Sequence, residues 1–147
     1  MSLLLQLLTG ALMIGTTVMI HAAMLDLIIR HARKGENFLK TLVGALWRPV
    51  LSSCIVVSIF MAHIINIWLW ATLYILLECP PLESFSDALY FATVTYTTLG
   101  YGDIILSEPF RMLSGIEAAN GFILFGWTTA FIFEIVSQLY RNEGKSL

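Results

Sequence analysis

Apolar residues fall into three long runs along the chain, separated by polar segments. The first run covers about Leu3 to Leu25, the second about Val50 to Leu77 and the third about Phe110 to Tyr140. Each is long enough to cross a hydrocarbon core, which needs about 20 helical residues. We therefore predict an all-α membrane protein with three transmembrane helices. A cleaved signal peptide is an alternative for the first run, but no basic segment precedes it and it is longer than such a peptide.

The segment between the first two runs is charged and then amphipathic. Residues 26–36 contain most of the charges, and we predict that they form a connection. In residues 37–47 the apolar positions recur with helical spacing, which predicts a short amphipathic helix lying in the membrane interface. The same pattern also fits the first turns of the second span.

A shorter helix is predicted after the second run. Ser84 and Asp87 have the spacing of a capping box, which opens a helix from about Phe85 to Tyr96. A helix of this length cannot cross a bilayer. We expect it to be re-entrant, because non-helical backbone at membrane depth is tolerated only where protein or an aqueous cavity surrounds it.

A hydroxyl-rich stretch with two spaced glycines, Thr93 to Asp103, begins in the last turn of this helix and continues beyond it. An ion-selectivity filter needs consecutive carbonyl groups that face one axis. Such a backbone needs unusual angles at alternate residues, and Gly100 and Gly102 have the spacing that tolerates them. Thr98 would add a hydroxyl at the inner mouth, while the side chains of Leu99 and Tyr101 point away from the axis. Taken alone, Gly-Tyr-Gly-Asp is also an ordinary turn sequence.

Composition supports the membrane interpretation. The chain has 147 residues, of which 58% are hydrophobic and 12% charged, whereas roughly half and a quarter are typical of soluble domains. The net charge of -2 and the scattered basic residues give no reason to expect a nucleic-acid partner. We find no catalytic constellation, no metal-ligand spacing and no cofactor motif, so we expect no enzyme activity and no cofactor beyond permeant K⁺.

The basic residues predict the orientation in the membrane. All but Arg111 fall on the side opposite the filter's Asp103: Arg30, Arg33, Lys34, Lys40, Arg48, Arg141 and Lys145. By the positive-inside rule, the filter mouth and the N-terminus lie outside and the C-terminus is cytoplasmic. We expect a multi-pass protein of the plasma or inner membrane, surrounded by its lipids.

The helix, the Thr-Thr-Leu-Gly-Tyr-Gly-Asp stretch and the flanking spans together resemble the tetrameric potassium channels, over about Val50 to Tyr140. Within this resemblance, the segment Ala88-Leu89-Tyr90-Phe91 is most similar to two-pore-domain and small prokaryotic channels. The resemblance implies a homotetramer, because each chain has one pore loop. It also implies K⁺ sites at the carbonyls of Thr98, Leu99, Gly100 and Tyr101, with Gly102 completing the filter.

The resemblance divides the chain into four parts. Residues 1–30 would form an extra N-terminal transmembrane helix, and 31–48 a cytoplasmic loop with the interfacial helix. Residues 49–140 would form the pore domain, and 141–147 a cytoplasmic tail. The extra helix lacks the repeated arginines of a voltage sensor, so gating must come from the pore itself or from a partner.

Several residues are expected to support the filter. Tyr90 replaces a frequent tryptophan of the family, but its phenol can still reach Asp103. Val94 stands where some relatives have a glutamate, and Thr97 lies beside the filter. We propose that Glu117, within the third span, replaces that glutamate; bonds to Thr93 or Thr95 would serve this role. An interfacial glutamate is the alternative.

Other polar and small residues have structural interpretations as well. Gly121 and Gly126 are candidate gating hinges, although small residues also permit close helix packing. His21, His63 and Asn66 are expected to form hydrogen bonds with neighbouring helices. Glu134 would pair with Arg141 or line the inner entrance. Cys79 is a free thiol or forms an intersubunit disulfide.

Two other functions are compatible with the pattern. One is a weakly selective cation channel. The other is a membrane subunit that does not conduct by itself, or one unit of an ion transporter, whose pore loops keep only a single glycine. The presence of both glycines favours the potassium-selective channel.

Overall fold

The structure is a computed structural model, and it describes residues 1–141. It has four helices: α1 (Leu3–Val43), α2 (Trp47–Leu76), α3 (Phe85–Tyr96) and α4 (Arg111–Arg141). Short 3₁₀ turns, Gly44–Leu46 and Glu108–Phe110, precede α2 and α4. These described residues contain no strand, so the all-α prediction is confirmed for them. Except for Arg141, the predicted tail, with Lys145, lies outside the described residues.

The predicted break after the first apolar run was wrong. Helix α1 continues through the charged segment to Val43, so the expected connection and most of the expected interfacial helix belong to one helix of 41 residues. The charges support this continuation, because Arg30 pairs with Asp26 and Lys40 with Glu36, at 2.8 and 2.5 Å, with the i,i+4 spacing that stabilises helices. The helix ends only at Gly44, whose φ of 55° suits glycine.

Two stretches of the described chain are long and apolar enough to cross a membrane, Leu3–Leu76 and Glu108–Arg141. The first contains both α1 and α2, with the 3₁₀ turn between them. These two helices pack side by side, and Asn66 Nδ2 on α2 lies 3.2 Å from His21 Nδ1 on α1. The stretch therefore folds back on itself as an antiparallel pair.

The short helix α3 forms the centre of the larger apolar core. Its Phe91 and Tyr96 are buried with Trp70 and Tyr74 of α2 and Leu124 of α4. Aromatic rings fill this region, and the ring of Tyr74 meets that of Phe91 edge to face at 5.3 Å. A smaller core around Leu25, Leu51, Ile55 and Ile59 lies towards the other end of the helices. The helix preceding the candidate filter thus packs one face between α2 and α4.

Helix α1 runs beside α4 in the same direction. Near the start of both helices, the backbone N–H of Met112 donates to Oε1 of Gln6 at 3.2 Å. Farther along, Asn120 Nδ2 donates to Thr17 Oγ1 at 2.8 Å. The N-terminal end of α1 is therefore on the same side of the molecule as the loop that follows the filter.

Candidate functional site

Helix α3 begins and ends where the sequence predicts. The backbone N–H of Asp87 donates to Ser84 Oγ at 3.1 Å, and the N–H of Ser84 donates to Asp87 Oδ2 at 3.0 Å. This reciprocal pair is the capping box. The prediction of a helix over Phe85–Tyr96 is confirmed.

The last turn of α3 holds the start of the filter stretch through one backbone carbonyl. The carbonyl of Val94 accepts hydrogen bonds from the N–H groups of Leu99 and Gly100, at 3.0 and 3.2 Å. The Thr97 hydroxyl donates to the Thr93 carbonyl at 2.7 Å. The Val94 carbonyl therefore holds Leu99 and Gly100, whereas the Thr97 hydroxyl bonds to carbonyls of α3. The support of the filter by these two residues stays a prediction.

Alternate residues of the filter stretch have a left-handed backbone. The φ angles are 60° at Thr98, 53° at Gly100 and 77° at Gly102. Both glycines were predicted to have such angles, but Thr98 was not, because a non-glycine residue rarely adopts them. No atom lies within 4 Å of the place where a Cβ would stand on either glycine. Backbone conformation, rather than lack of space, therefore requires glycine here.

The end of the filter stretch is tied back to α3. Tyr90 donates its hydroxyl proton to Asp103 Oδ2 at 2.7 Å, as the sequence predicts. This hydrogen bond is the main reason that the pKa of Asp103 is lowered from its ordinary 3.8, and it raises the pKa of Tyr90. The carboxylate is therefore the favoured form in this bond at neutral pH.

Glu117 lies fully buried behind α3, with 0% of its surface exposed. Its Oε2 accepts a hydrogen bond from the Tyr74 hydroxyl at 2.7 Å. The expected bonds to Thr93 or Thr95 are not formed, since the hydroxyl of Thr93 donates to the Leu89 carbonyl instead. The interfacial alternative was also wrong. The hydrogen bond of Glu117 links it to α3 through Tyr74, whose ring packs against Phe91.

Gly121 marks the closest approach of α4 to α3. A Cβ at this position would overlap the carbonyl oxygen of Tyr96. Among the described residues, no atom outside its own stretch of α4 lies within 4 Å of a Cβ built on Gly126, and α4 is helical through both residues. Gly121 is thus required for packing at the base of the filter, and the hinge at Gly126 stays a prediction.

A buried cluster of polar side chains lies beside this contact. His21 and His63 each place Nε2 3.0 Å from Thr128 Oγ1. His63 Nδ1 lies 3.1 Å from the Tyr96 hydroxyl, and Asn66 Nδ2 lies within 3.5 Å of both His21 Nδ1 and that hydroxyl. These five side chains from all four helices are called the polar ring below. Hydrogen bonding by His21, His63 and Asn66 to neighbouring helices is confirmed.

Sequence reasoning did not include Tyr96 and Thr128 in this cluster. Both are buried, but the sequence offers no periodic signal that links them, because they are 32 positions apart on different helices.

Near the other end of α4, Glu134 does not pair with Arg141. Its Oε1 accepts from Gln138 Nε2 at 2.6 Å.

Two side chains of the filter stretch are exposed, whereas Cys79 is buried. Leu99 and Tyr101 remain 56% and 68% exposed in one chain. Cys79 is buried and free, and burial raises the pKa of its thiol to about 11. Among residues 1–141, no group of three or more histidine, cysteine or acidic residues is placed to hold a metal ion.

A comparison with protein-family models matches residues 54–138 to a family described as "Ion channel". The chain belongs to this family. No curated protein and no solved structure matches the chain.

The matched region of this ion channel covers most of α2, all of α3, the filter stretch and most of α4. Because the chain belongs to an ion channel family, its activity is ion transport. The family and the long apolar helices of the chain together indicate a membrane protein. All of α1 and the first turns of α2 lie before the match. The site above is therefore built mainly from the family's region, with one added helix packed against it.

Proposed function

We propose that this ion channel is potassium-selective and passes K⁺ down its electrochemical gradient through a homotetrameric pore. The ions bind to backbone carbonyls of Thr98, Leu99, Gly100 and Tyr101, and Gly102 completes the filter. Asp103, Tyr90, Val94 and Thr97 hold the ends of this segment.

The observation that carries the proposal is the alternation of backbone angles. In a strand, successive carbonyls point to opposite sides. Positive φ at Thr98, Gly100 and Gly102 removes this alternation. Carbonyls brought to one side can replace the hydration shell of a cation. The three residues directly follow a helix whose own backbone fixes Leu99 and Gly100.

A homotetramer follows from the number of filter segments. One chain offers a single strip of carbonyls, whereas a dehydrated ion must be coordinated from all sides by rings of them. The exposure of Leu99 and Tyr101 supports this assembly, because their side chains have little packing within one chain. Neighbouring copies of the chain supply the missing contacts.

The membrane arrangement has α1, α2 and α4 as three transmembrane helices and α3 as the re-entrant helix. The N-terminus and the filter mouth face outside, and the cytoplasmic side has most of the basic residues. Helix α1 is about 60 Å long at 1.5 Å per residue, about twice the hydrocarbon thickness. Its charged second half therefore extends into the cytoplasm of the plasma or inner membrane.

The test is ion flux in liposomes that contain only the purified protein. We expect K⁺ flux that Ba²⁺ blocks, and bi-ionic reversal potentials that show a strong preference for K⁺ over Na⁺. Equal permeability to both ions would instead support a weakly selective cation channel. Intact tetramers that pass no ions would support a subunit that does not conduct by itself.

A further inference from the structure

The polar ring joins the N-terminal helix to the base of the filter. His21 belongs to α1, which lies before the matched channel region, while Tyr96 is the last residue of α3. The ring contains His63 and Asn66 of α2 and Thr128 of α4 as well. Each of its five side chains is at least nine-tenths buried.

The hydrogen-bond chemistry of Thr128 makes the ring directional. Its hydroxyl has one proton to donate, so it donates to one neutral imidazole and accepts from the other. Nδ1 of His21 meets the Asn66 amide, and Nδ1 of His63 meets the Tyr96 hydroxyl. The order of donors runs from Asn66 through Thr128 to Tyr96, or in reverse with the other tautomers, and either order passes through the Thr128 hydroxyl.

Tyr96 is therefore fixed at both ends. Its hydroxyl lies in the ring, and its carbonyl lies where a Cβ on Gly121 would stand. Only Thr97 separates it from Thr98, the innermost proposed K⁺ ligand and a residue with positive φ. A shift of the Tyr96 ring would move this strained residue directly.

Helix α1 also contacts α4 at positions closer to the N-terminus of α1 than the ring is. A Cβ on Gly10 would lie 2.6 Å from Ile116 Cδ1, and Thr17 accepts a hydrogen bond from Asn120. These contacts keep α1 in register with α4, so His21 meets Thr128 at a defined height.

We propose that the polar ring is a positioning site for the filter, through which α1 sets the geometry of the innermost ion site and hence the preference for K⁺ over Na⁺. This inference rests on the proposed potassium-channel function. The ring residues do not touch the ion; they act through Tyr96.

The decisive variant is Thr128→Val, which keeps the shape of the side chain and removes both hydrogen bonds to the imidazoles. We expect the Na⁺-to-K⁺ permeability ratio to rise by about twofold to thirtyfold, the range over which remote substitutions change coupled sites. Thr128→Ser keeps the hydroxyl and should retain the original ratio. Thr16→Val makes the same chemical change at an exposed hydroxyl of α1 that, within residues 1–141, bonds only to the Leu12 carbonyl, so it should leave the ratio unchanged.

The permeability ratio is a property of each open channel, so it does not depend on how much protein folds. A purely structural threonine would lower the yield of tetramers and leave the ratio of the remaining channels unchanged; that result would overturn the inference. If Thr128→Val does not assemble, Tyr96→Phe provides a second test. A raised Na⁺-to-K⁺ permeability ratio would support the inference, and an unchanged ratio would overturn it. The two changes together should give less than the product of their separate effects, because they break one network.

The same reversal-potential experiment separates this inference from the proposed function. An unmodified protein that passes no K⁺, or that passes K⁺ and Na⁺ equally, overturns both. An unmodified channel that selects K⁺, with a Thr128→Val variant that selects it equally well, overturns only the role of the ring.

Discussion

At the scale of residues, the filter stretch depends on backbone angles that few side chains tolerate. Gly100 and Gly102 have positive φ with open space around them, so an alanine there is opposed by conformational strain of about 1–2 kcal/mol per residue. Thr98 has the same strained conformation without being glycine. Neighbouring hydrogen bonds compensate for part of this cost. The N–H of Thr98 donates to the Thr95 carbonyl, and the N–H of Leu99 donates to the Val94 carbonyl.

The hydrogen bond between Tyr90 and Asp103 predicts an acid response of the filter mouth. Because this bond lowers the pKa of Asp103, its stabilisation is present at neutral pH and is lost as the pH falls through that lowered value. In Tyr90→Phe the pKa of Asp103 should return towards 3.8, so the Asp103 carboxylate should be protonated, and the K⁺ flux that depends on its charge lost, at a higher pH than in the unmodified channel. Flux measured with the outer solution titrated between about pH 3 and 5 tests this.

Tyr140→Phe is the control for this titration, since it removes a phenol near the opposite end of α4. Its acid midpoint should equal that of the unmodified channel. A Tyr90→Phe midpoint that is unchanged or lower would show that the hydrogen bond does not hold the carboxylate ionised.

At the scale of elements, the sequence predicts α3 and the filter well because their signals are local. The capping box at Ser84 and Asp87 lies within four residues, and the glycine spacing needs only three. The length of α1 was missed because a charged segment was treated as a connection, although its i,i+4 pairs at Asp26 and Glu36 favour a helix.

The supporting contacts of α3 were predicted only in part, because they join residues that are distant in the sequence and carry no local signal. The burial of His21 can be expected from its place in an apolar run, but its approach to Thr128 joins residues 107 positions apart. Glu117 likewise meets Tyr74, 43 positions earlier, rather than the threonines of the nearer helix. Such partners are set by how helices rotate against each other, which the hydrophobic pattern constrains only loosely.

The contact of Gly121 with the Tyr96 carbonyl predicts how α4 and α3 depend on each other. In Gly121→Ala the added methyl group must push the helices apart, and overpacking of this kind destabilises by about 1–3 kcal/mol. We expect a lower midpoint of thermal unfolding in detergent at fixed K⁺ concentration. Gly126→Ala, on the same helix with no atom within 4 Å, should leave the midpoint unchanged or raise it. Equal midpoints for the two variants would contradict the close packing.

At the scale of the whole molecule, the chain has an apolar surface that one copy leaves uncovered. Large hydrophobic side chains are exposed along α4, among them Phe122, Ile123 and Phe133. In the proposed assembly these side chains face lipid or neighbouring copies, while the four filters meet at the axis. Ion binding and assembly are then a single linked equilibrium, because a complete ring of carbonyls exists only in the tetramer.

This linkage predicts that K⁺ stabilises the tetramer. A ligand that binds only the assembled state adds about 1.4 kcal/mol per site for each tenfold rise in its concentration above the dissociation constant. The temperature at which tetramers dissociate should therefore rise with K⁺ concentration and much less with Na⁺ at equal ionic strength, as measured by native mass spectrometry or size exclusion after heating. Gly102→Ala should abolish the difference between the ions, because alanine disfavours the positive φ at residue 102 that turns the preceding Tyr101 carbonyl to the axis. Gly15→Ala, at an open position of α1, should retain it. Tetramers equally stable in both ions would exclude a selective filter made by four chains, since selective binding must appear as selective stabilisation.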